Sequence, residues 1–127
     1  MKALTAILAI SAALAFSTPS VAATNEIEAI ADLATRGMVQ FQCNVFGGYA
    51  KLDEADLEKH FNAGYRSFKE FIERFDALND EIKWKAVREK IPLYVMWSAR
   101  GPNADFIVGR LFAETAQQAN DEVWQKN

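Results

Sequence analysis

The 127-residue sequence is poor in the residues that most often carry chemistry in small proteins. It has one cysteine, one histidine and three prolines. A lone cysteine excludes an intramolecular disulfide, so Cys43 is either a free thiol or bonded to a second molecule. His60 and Asp56 are one helical turn apart, but a zinc site normally takes three or four ligands. We therefore predict that the protein is not an enzyme and holds no metal or cofactor.

Basic residues are also too few and too scattered along the sequence to bind nucleic acid. The chain has 14 basic and 17 acidic residues, a net charge of −3 at pH 7, and the two signs are interspersed. Binding to nucleic acid depends on clustered Lys and Arg that neutralise phosphates. The sequence therefore predicts no nucleic-acid partner.

The long hydrophobic run is confined to the N-terminus. Lys2 precedes an apolar run over residues 3–16, Pro19 breaks it, and small residues follow up to Ala22 and Ala23. This order is typical of a secretory signal peptide. The run is shorter than the ~20 residues that cross a bilayer. We predict a cleaved signal peptide over residues 1–23 and export to the periplasm or the medium.

The remaining residues, 24–127, are predicted to form a single helical domain. They contain all 17 acidic and 13 of the 14 basic residues, a net charge of −4. Their length is that of one ordinary domain. They contain no second long apolar run, so no membrane span is expected after cleavage.

Strand patterns are absent, whereas apolar residues and glycines recur every three or four residues. Three stretches have clear helical periodicity, from Ile27 to Leu52, from Leu57 to Leu78 and from Phe106 to Val123. A shorter one begins near Glu81 and meets Pro92, which disfavours helix at the preceding residue. The prediction is an all-α fold, a small antiparallel four-helix bundle whose third helix is kinked or broken at Pro92. Three residues have the chemistry of helix N-caps: Asp53, Asp80 and Asn103, the Gly101-Pro102 pair being the alternative start of the last helix.

Glycines on the predicted helix faces indicate close packing of the first two helices. The first helix is predicted to run through Gly47 and Gly48, the alternative being a stop near Phe46. An antiparallel hairpin then places glycines opposite large residues, as interdigitating layers require. The predicted pairs are Gly48 with Leu57, Phe41 with Gly64, and Gly37 with Phe68. In the last helix the predicted inward positions are Phe106, Gly109, Phe112, Ala113, Ala116, Ala119 and Val123.

An unusual concentration of aromatic and arginine residues lies around the Gly101-Pro102 turn. Such residues dominate binding hot spots in protein interfaces. The predicted interaction surface consists of Tyr94, Trp97, Arg100, Asp105, Arg110 and Trp124. The alternative is structural: Arg100 or Arg110 pairs with Asp105, the aromatic residues belong to the core, and Trp124 clamps the last helix.

Two functions remain after these exclusions. The first is a small exported protein that binds another envelope or extracellular protein, as an adaptor or inhibitor does. The alternative is a carrier of a small apolar ligand in a cavity between helices, lined by phenylalanine and tryptophan. A protein partner is expected, and a disulfide through Cys43 would make a homodimer.

The signal-peptide prediction can be tested directly. We expect N-terminal sequencing of the exported protein to begin at Ala23 or Thr24, because the small residues before these positions suit signal peptidase. An exported protein that retains Met1 would contradict it.

Overall fold

The computed structural model describes residues 21–126, which form five α-helices and no strand. The helices are α1 (Val21–Tyr49), α2 (Glu54–Asp76), α3 (Glu81–Lys90), α4 (Leu93–Ser98) and α5 (Ala104–Gln125). The predicted all-α class is confirmed, but there are five helices rather than four. Residues 1–20 of the predicted signal peptide lie outside the described residues. None of the helices between residues 21 and 126 has the length and hydropathy needed to cross a membrane.

The extra helix arises at Ile91 and Pro92. Ile91 is extended, with φ −98° and ψ 152°, so α3 ends at Lys90. Pro92 precedes the six-residue α4, and its carbonyl accepts a hydrogen bond from the Val95 amide at 3.0 Å. The proline ring disfavours helical backbone at Ile91, which explains why the two helices are separate.

Side-chain caps start the three helices where the sequence predicts them. The Asp53 carboxylate accepts from the Asp56 amide at 2.9 Å, and that of Asp80 accepts from the Ile82 amide at 2.9 Å. Asn103 caps α5 in the same way, through the Phe106 amide at 2.9 Å. Each cap satisfies an amide that has no partner within its helix.

The first helix continues through both Gly47 and Gly48 and ends at Tyr49, as predicted. Lys51 then takes a left-handed conformation with φ 59°. Its amide donates to the Gly48 carbonyl at 3.1 Å, and the Leu52 amide donates to the Gly47 carbonyl at 2.9 Å. This is a Schellman ending, in which a lysine occupies the position that glycine usually holds. Leu52 therefore lies outside the helix, whereas we had predicted it as the last inward position.

Two of the three predicted glycine contacts between α1 and α2 are present. A Cβ placed on Gly37 would lie 2.6 Å from the Phe68 ring, and one on Gly64 would overlap the Phe41 ring. The pairs confirm the antiparallel register of these two helices.

The third pair, Gly48 with Leu57, is wrong. A Cβ on Gly48 meets no neighbour within 4 Å in the described part of the chain, whereas one on Gly47 would lie 2.9 Å from Leu57 and 2.9 Å from Leu52. Leu52 folds back over the last turn of α1 after Lys51, and this covers Gly47 instead.

Phenylalanine rings fill the centre of the molecule. The Phe41 ring lies 5.3 Å from that of Phe68, 5.6 Å from Phe61 and 5.0 Å from Phe112, measured between ring centroids. Phe112 belongs to α5, so the contact between α1 and α2 also provides the surface on which α5 packs. A second row of stacked rings is formed by Phe71, Phe75 and Trp84.

The inward face of α5 differs from the predicted one. The buried residues are Ile107, Val108, Leu111, Thr115 and Ala119. Phe106, Gly109 and Ala113 are exposed, and a Cβ placed on Gly109 would meet no atom of another part of the described chain within 4 Å. The error came from placing Gly109 at a helix contact. Buried Thr115 is polar, but its hydroxyl donates to the Leu111 carbonyl at 2.7 Å.

The glycine contacts predict opposite effects for the same substitution. Gly64→Ala should lower the free energy of unfolding by about 1–3 kcal/mol, because the new methyl group displaces the Phe41 ring. Gly109→Ala, on an open helix face, should raise it by about 0.5–1 kcal/mol through helix propensity. Chemical denaturation measures both, and equal effects of the two substitutions would contradict the close packing at Gly64.

Candidate binding groove between α4 and α5

The short helix α4 presents two large apolar side chains to solvent. Leu93 is 71% exposed and Trp97 is 72% exposed. Their spacing of four residues places them on one face of the helix. The opposite face is covered, since Val95 and Ser98 are buried. Exposed tryptophan of this extent is unusual in a small protein, because burying an aromatic side chain is strongly favourable.

A groove with a volume of about 550 Å³ runs beside these side chains, between α4 and α5. It is open to solvent along its length. Its lining residues are Leu93, Tyr94, Trp97, Ser98, Arg110 and Glu114. The groove therefore combines an apolar rim with charged and hydroxyl groups.

A hydrogen bond beneath the groove holds α4 against α5. The Tyr94 hydroxyl lies 3.1 Å from the Thr115 hydroxyl. Burial raises the pKa of Tyr94 above its ordinary value, which favours the neutral hydroxyl that donates or accepts this hydrogen bond. Tyr94 thus anchors α4 through its inner face and leaves Trp97 on the outer face.

Arginine residues line both of the cavities that Trp97 borders. On the groove side, Nη1 of Arg110 donates to the Arg100 carbonyl at 2.9 Å, which orients the guanidinium group. A second, smaller depression of about 230 Å³, which also includes Leu93 and Trp97, is lined in part by Arg88 and Arg100. The Arg88 guanidinium lies over the Trp84 ring at 5.1 Å from its centroid. Three arginines therefore line the cavities that border the exposed Trp97 side chain.

Ser98 adds an uncommitted hydroxyl group to the groove. The residue is only 4% exposed, yet it lines the groove. Every fully buried side-chain oxygen and nitrogen of residues 21–126 has a hydrogen-bond partner. The Ser98 hydroxyl has no hydrogen-bond partner within those residues, so it is not fully buried. Because Ser98 lines the groove, its hydroxyl is available there to bind a ligand.

The structure brings some of the predicted surface residues together and separates others. Tyr94, Trp97 and Arg110 line the groove, and Arg100 adjoins it. Trp124 is 71% exposed and does not clamp α5 onto the core. It lies ten residues beyond Glu114, about 15 Å along the helix axis. The two exposed tryptophans therefore belong to different surfaces.

Sequence reasoning missed Leu93, Ser98, Glu114 and Arg88. Leu93 carried a detectable signal, since it precedes Trp97 by one helical turn. The other three carried none, because their place at the groove depends on how α3, α4 and α5 pack.

Asp105 lies outside the groove and contacts α2. The Tyr65 hydroxyl donates to its carboxylate, and the Lys69 ammonium lies 3.2 Å from the same oxygen. The expected pairing of Asp105 with Arg100 or Arg110 is therefore wrong. The hydrogen bond from Tyr65, followed by that from Lys69, lowers the pKa of Asp105, and the same contacts raise the pKa of Tyr65 and of Lys69. This cluster connects the first turn of α5 to α2.

Cys43 is partly buried on α1. His60 on α2 uses Nδ1 to contact Oε1 of Gln40 at 2.8 Å, and no hydrogen bond joins Cys43 to His60 among the described residues. Nothing in that part of the chain supports the predicted homodimer through Cys43.

The acidic, histidine and cysteine residues between positions 21 and 126 form no group of three or more that could hold a metal ion.

No family model, curated protein or solved structure matches the chain. The function must therefore be argued from the residues themselves.

The cluster around Asp105 predicts a pH-dependent stability. Its lowered pKa means that the carboxylate stabilises the fold above the unfolded value of about 3.9, and that this contribution is lost as the pH falls through the lower folded value. Asp105→Asn should lower the melting temperature at pH 7, and the difference from wild type should shrink below about pH 4. Thermal melts over this pH range test it, with Glu122→Gln on the same helix as the control. A difference that does not change with pH would contradict the role of the charge.

Proposed function

We propose that the protein binds another protein of the cell envelope or the extracellular space through the α4–α5 groove, and that it catalyses no reaction. The observation that carries this proposal is the exposure of Leu93 and Trp97 beside a concave surface. An exposed apolar patch with a polar rim is typical of interaction sites. Tryptophan and arginine are also the residues that contribute most to binding at protein interfaces.

The packing of the phenylalanines favours a protein partner over a small apolar ligand. The rings of Phe41, Phe61, Phe68 and Phe112 contact one another at 5.0 to 5.6 Å between centroids. They fill the space in which a carried molecule would have to lie. The groove is open and is lined by the charged residues Arg110 and Glu114, which suits a protein surface better than it suits a hydrocarbon.

We further propose that the protein meets its partner after export, as an antiparallel helical bundle. Removal of residues 1–23 would release residues 24–127 into the periplasm or the medium. The helices would form an antiparallel four-helix bundle in which α3 and α4 together make up the third helix, which is interrupted at Pro92. The interruption turns α4 so that its outer residues remain free for the partner.

The two exposed tryptophans provide the test. Immobilised wild-type protein should retain a partner from an envelope extract, and Trp97→Ala should lose it, because the substitution removes the largest apolar contact of the groove. Trp124→Ala is the matched control, since Trp124 is equally exposed on another surface, and it should retain the partner. A partner retained equally by both variants, or lost with Trp124→Ala alone, would overturn the proposal for this groove.

A further inference from the structure

We infer that the groove accepts an acidic segment of its partner, in which a bulky apolar side chain is flanked by carboxylates. The inference rests on the proposed function and names the chemistry of the partner. It follows from the combination of an exposed apolar rim with unpaired guanidinium groups and a free hydroxyl.

The charge of this surface is opposite to that of the whole chain. The chain carries a net charge of −3. The groove and the depression beside it are lined by Arg88, Arg100 and Arg110, with Glu114 as the single acidic lining residue. A positive region on an acidic protein attracts acidic partners and orients them as they approach.

The arginines of this surface are not engaged by carboxylates of the protein. Among the described residues, lysines elsewhere form ion pairs: Lys69 with Asp105 at 3.2 Å, Lys83 with Glu26 at 2.8 Å, and Lys90 with Glu28 at 2.6 Å.

By contrast, Arg88, Arg100 and Arg110 have no carboxylate within 4.0 Å in residues 21–126. Arg110 is instead oriented by the Arg100 carbonyl at 2.9 Å, and one guanidinium nitrogen is used in that bond. The remaining donors can bind a carboxylate in the two-point geometry that guanidinium groups favour.

The arrangement around Trp97 selects a segment rather than a single anion. Arg110 lines the groove with Trp97, and Arg88 and Arg100 line the adjoining depression, which Trp97 also borders. Leu93 and Trp97 border both cavities, so an apolar side chain that packs against them would have Arg110 near it in the groove and Arg88 and Arg100 near it in the depression. Carboxylates before and after that side chain match this distribution.

Ser98 and Glu114 refine the expectation. The Ser98 hydroxyl, which lacks a partner in residues 21–126, can donate to a carboxylate or to a backbone carbonyl of the bound segment. Glu114 carries the same charge as the segment and opposes it. Neutralising Glu114 should therefore tighten binding, and neutralising Arg110 should weaken it.

Three short peptides test the inference with the mature protein by isothermal titration calorimetry. The first is acetyl-Asp-Glu-Phe-Glu-Asp-amide. The second, acetyl-Asn-Gln-Phe-Gln-Asn-amide, keeps the anchor and removes the charges. The third, acetyl-Asp-Glu-Ala-Glu-Asp-amide, keeps the charges and removes the anchor. We expect the first to bind with a dissociation constant on the order of 1 mM or lower, and each of the others to bind about tenfold more weakly.

Variants assign the binding to this groove. Arg110→Gln should weaken binding of the first peptide about 3- to 10-fold, as expected for loss of a charge-assisted hydrogen bond at an open site. Glu114→Gln should strengthen it about 2- to 3-fold. Arg66→Gln on α2 removes the same charge from a surface lined by α1 and α2 alone, and it should have no effect. Far-ultraviolet circular dichroism confirms that each variant is folded.

The outcomes separate this inference from the proposed function. Equal binding of the acidic and amide peptides, or equal weakening by Arg66→Gln and Arg110→Gln, would overturn the acidic segment. Failure of the peptides to bind, together with retention of an extract partner that depends on Trp97, would also overturn it while leaving the proposed function intact. Loss of that dependence on Trp97 would overturn both.

Discussion

The close approach of α1 and α2 is the contact on which the rest of the structure depends. Phe41 and Phe68 each lie over a glycine of the other helix, Gly64 and Gly37. A side chain at either glycine would separate the helices or displace a buried ring, and displaced rings could no longer pack at native density. The same Phe41 ring contacts Phe112 of α5. The pairing of the first two helices therefore also positions the last one.

The surface available for binding has a different origin, the interruption at Pro92. If α3 continued past Pro92, the buried and exposed faces of α3 would extend without change along the residues that now form α4. The extended backbone at Ile91 instead allows α4 to start with a new direction. Tyr94 and Thr115 then join its inner face to α5. Because α4 packs against the core through the face that contains Val95 and Ser98, Leu93 and Trp97 on its opposite face remain exposed.

Local signals explain which elements were predictable. The caps at Asp53, Asp80 and Asn103 depend on amides two or three residues away, so a few letters of sequence are enough to identify them. The all-α class follows from the spacing of apolar residues along single helices. The contacts of Gly37 and Gly64 were also predictable, because a short connection between two helices forces an antiparallel register. The predicted contact of Gly48 with Leu57 was wrong because Leu52 folds back over Gly47. The spacing of apolar residues along α1 gives no sign of this turn.

The remaining errors concern contacts between residues that are far apart in the sequence. The inward face of α5 depends on where α1 and α2 leave room, and Gly109 resembled the packed glycines without being packed itself. Asp105 had acceptable basic partners nearby in sequence, yet Tyr65 and Lys69 of α2 were closer in space. Apolar spacing, helix caps and turns act over a few residues, and by themselves they determined the helical class, most helix boundaries and the first hairpin. Only the tertiary structure decided which residues line the groove, because that depends on the positions of three helices at once.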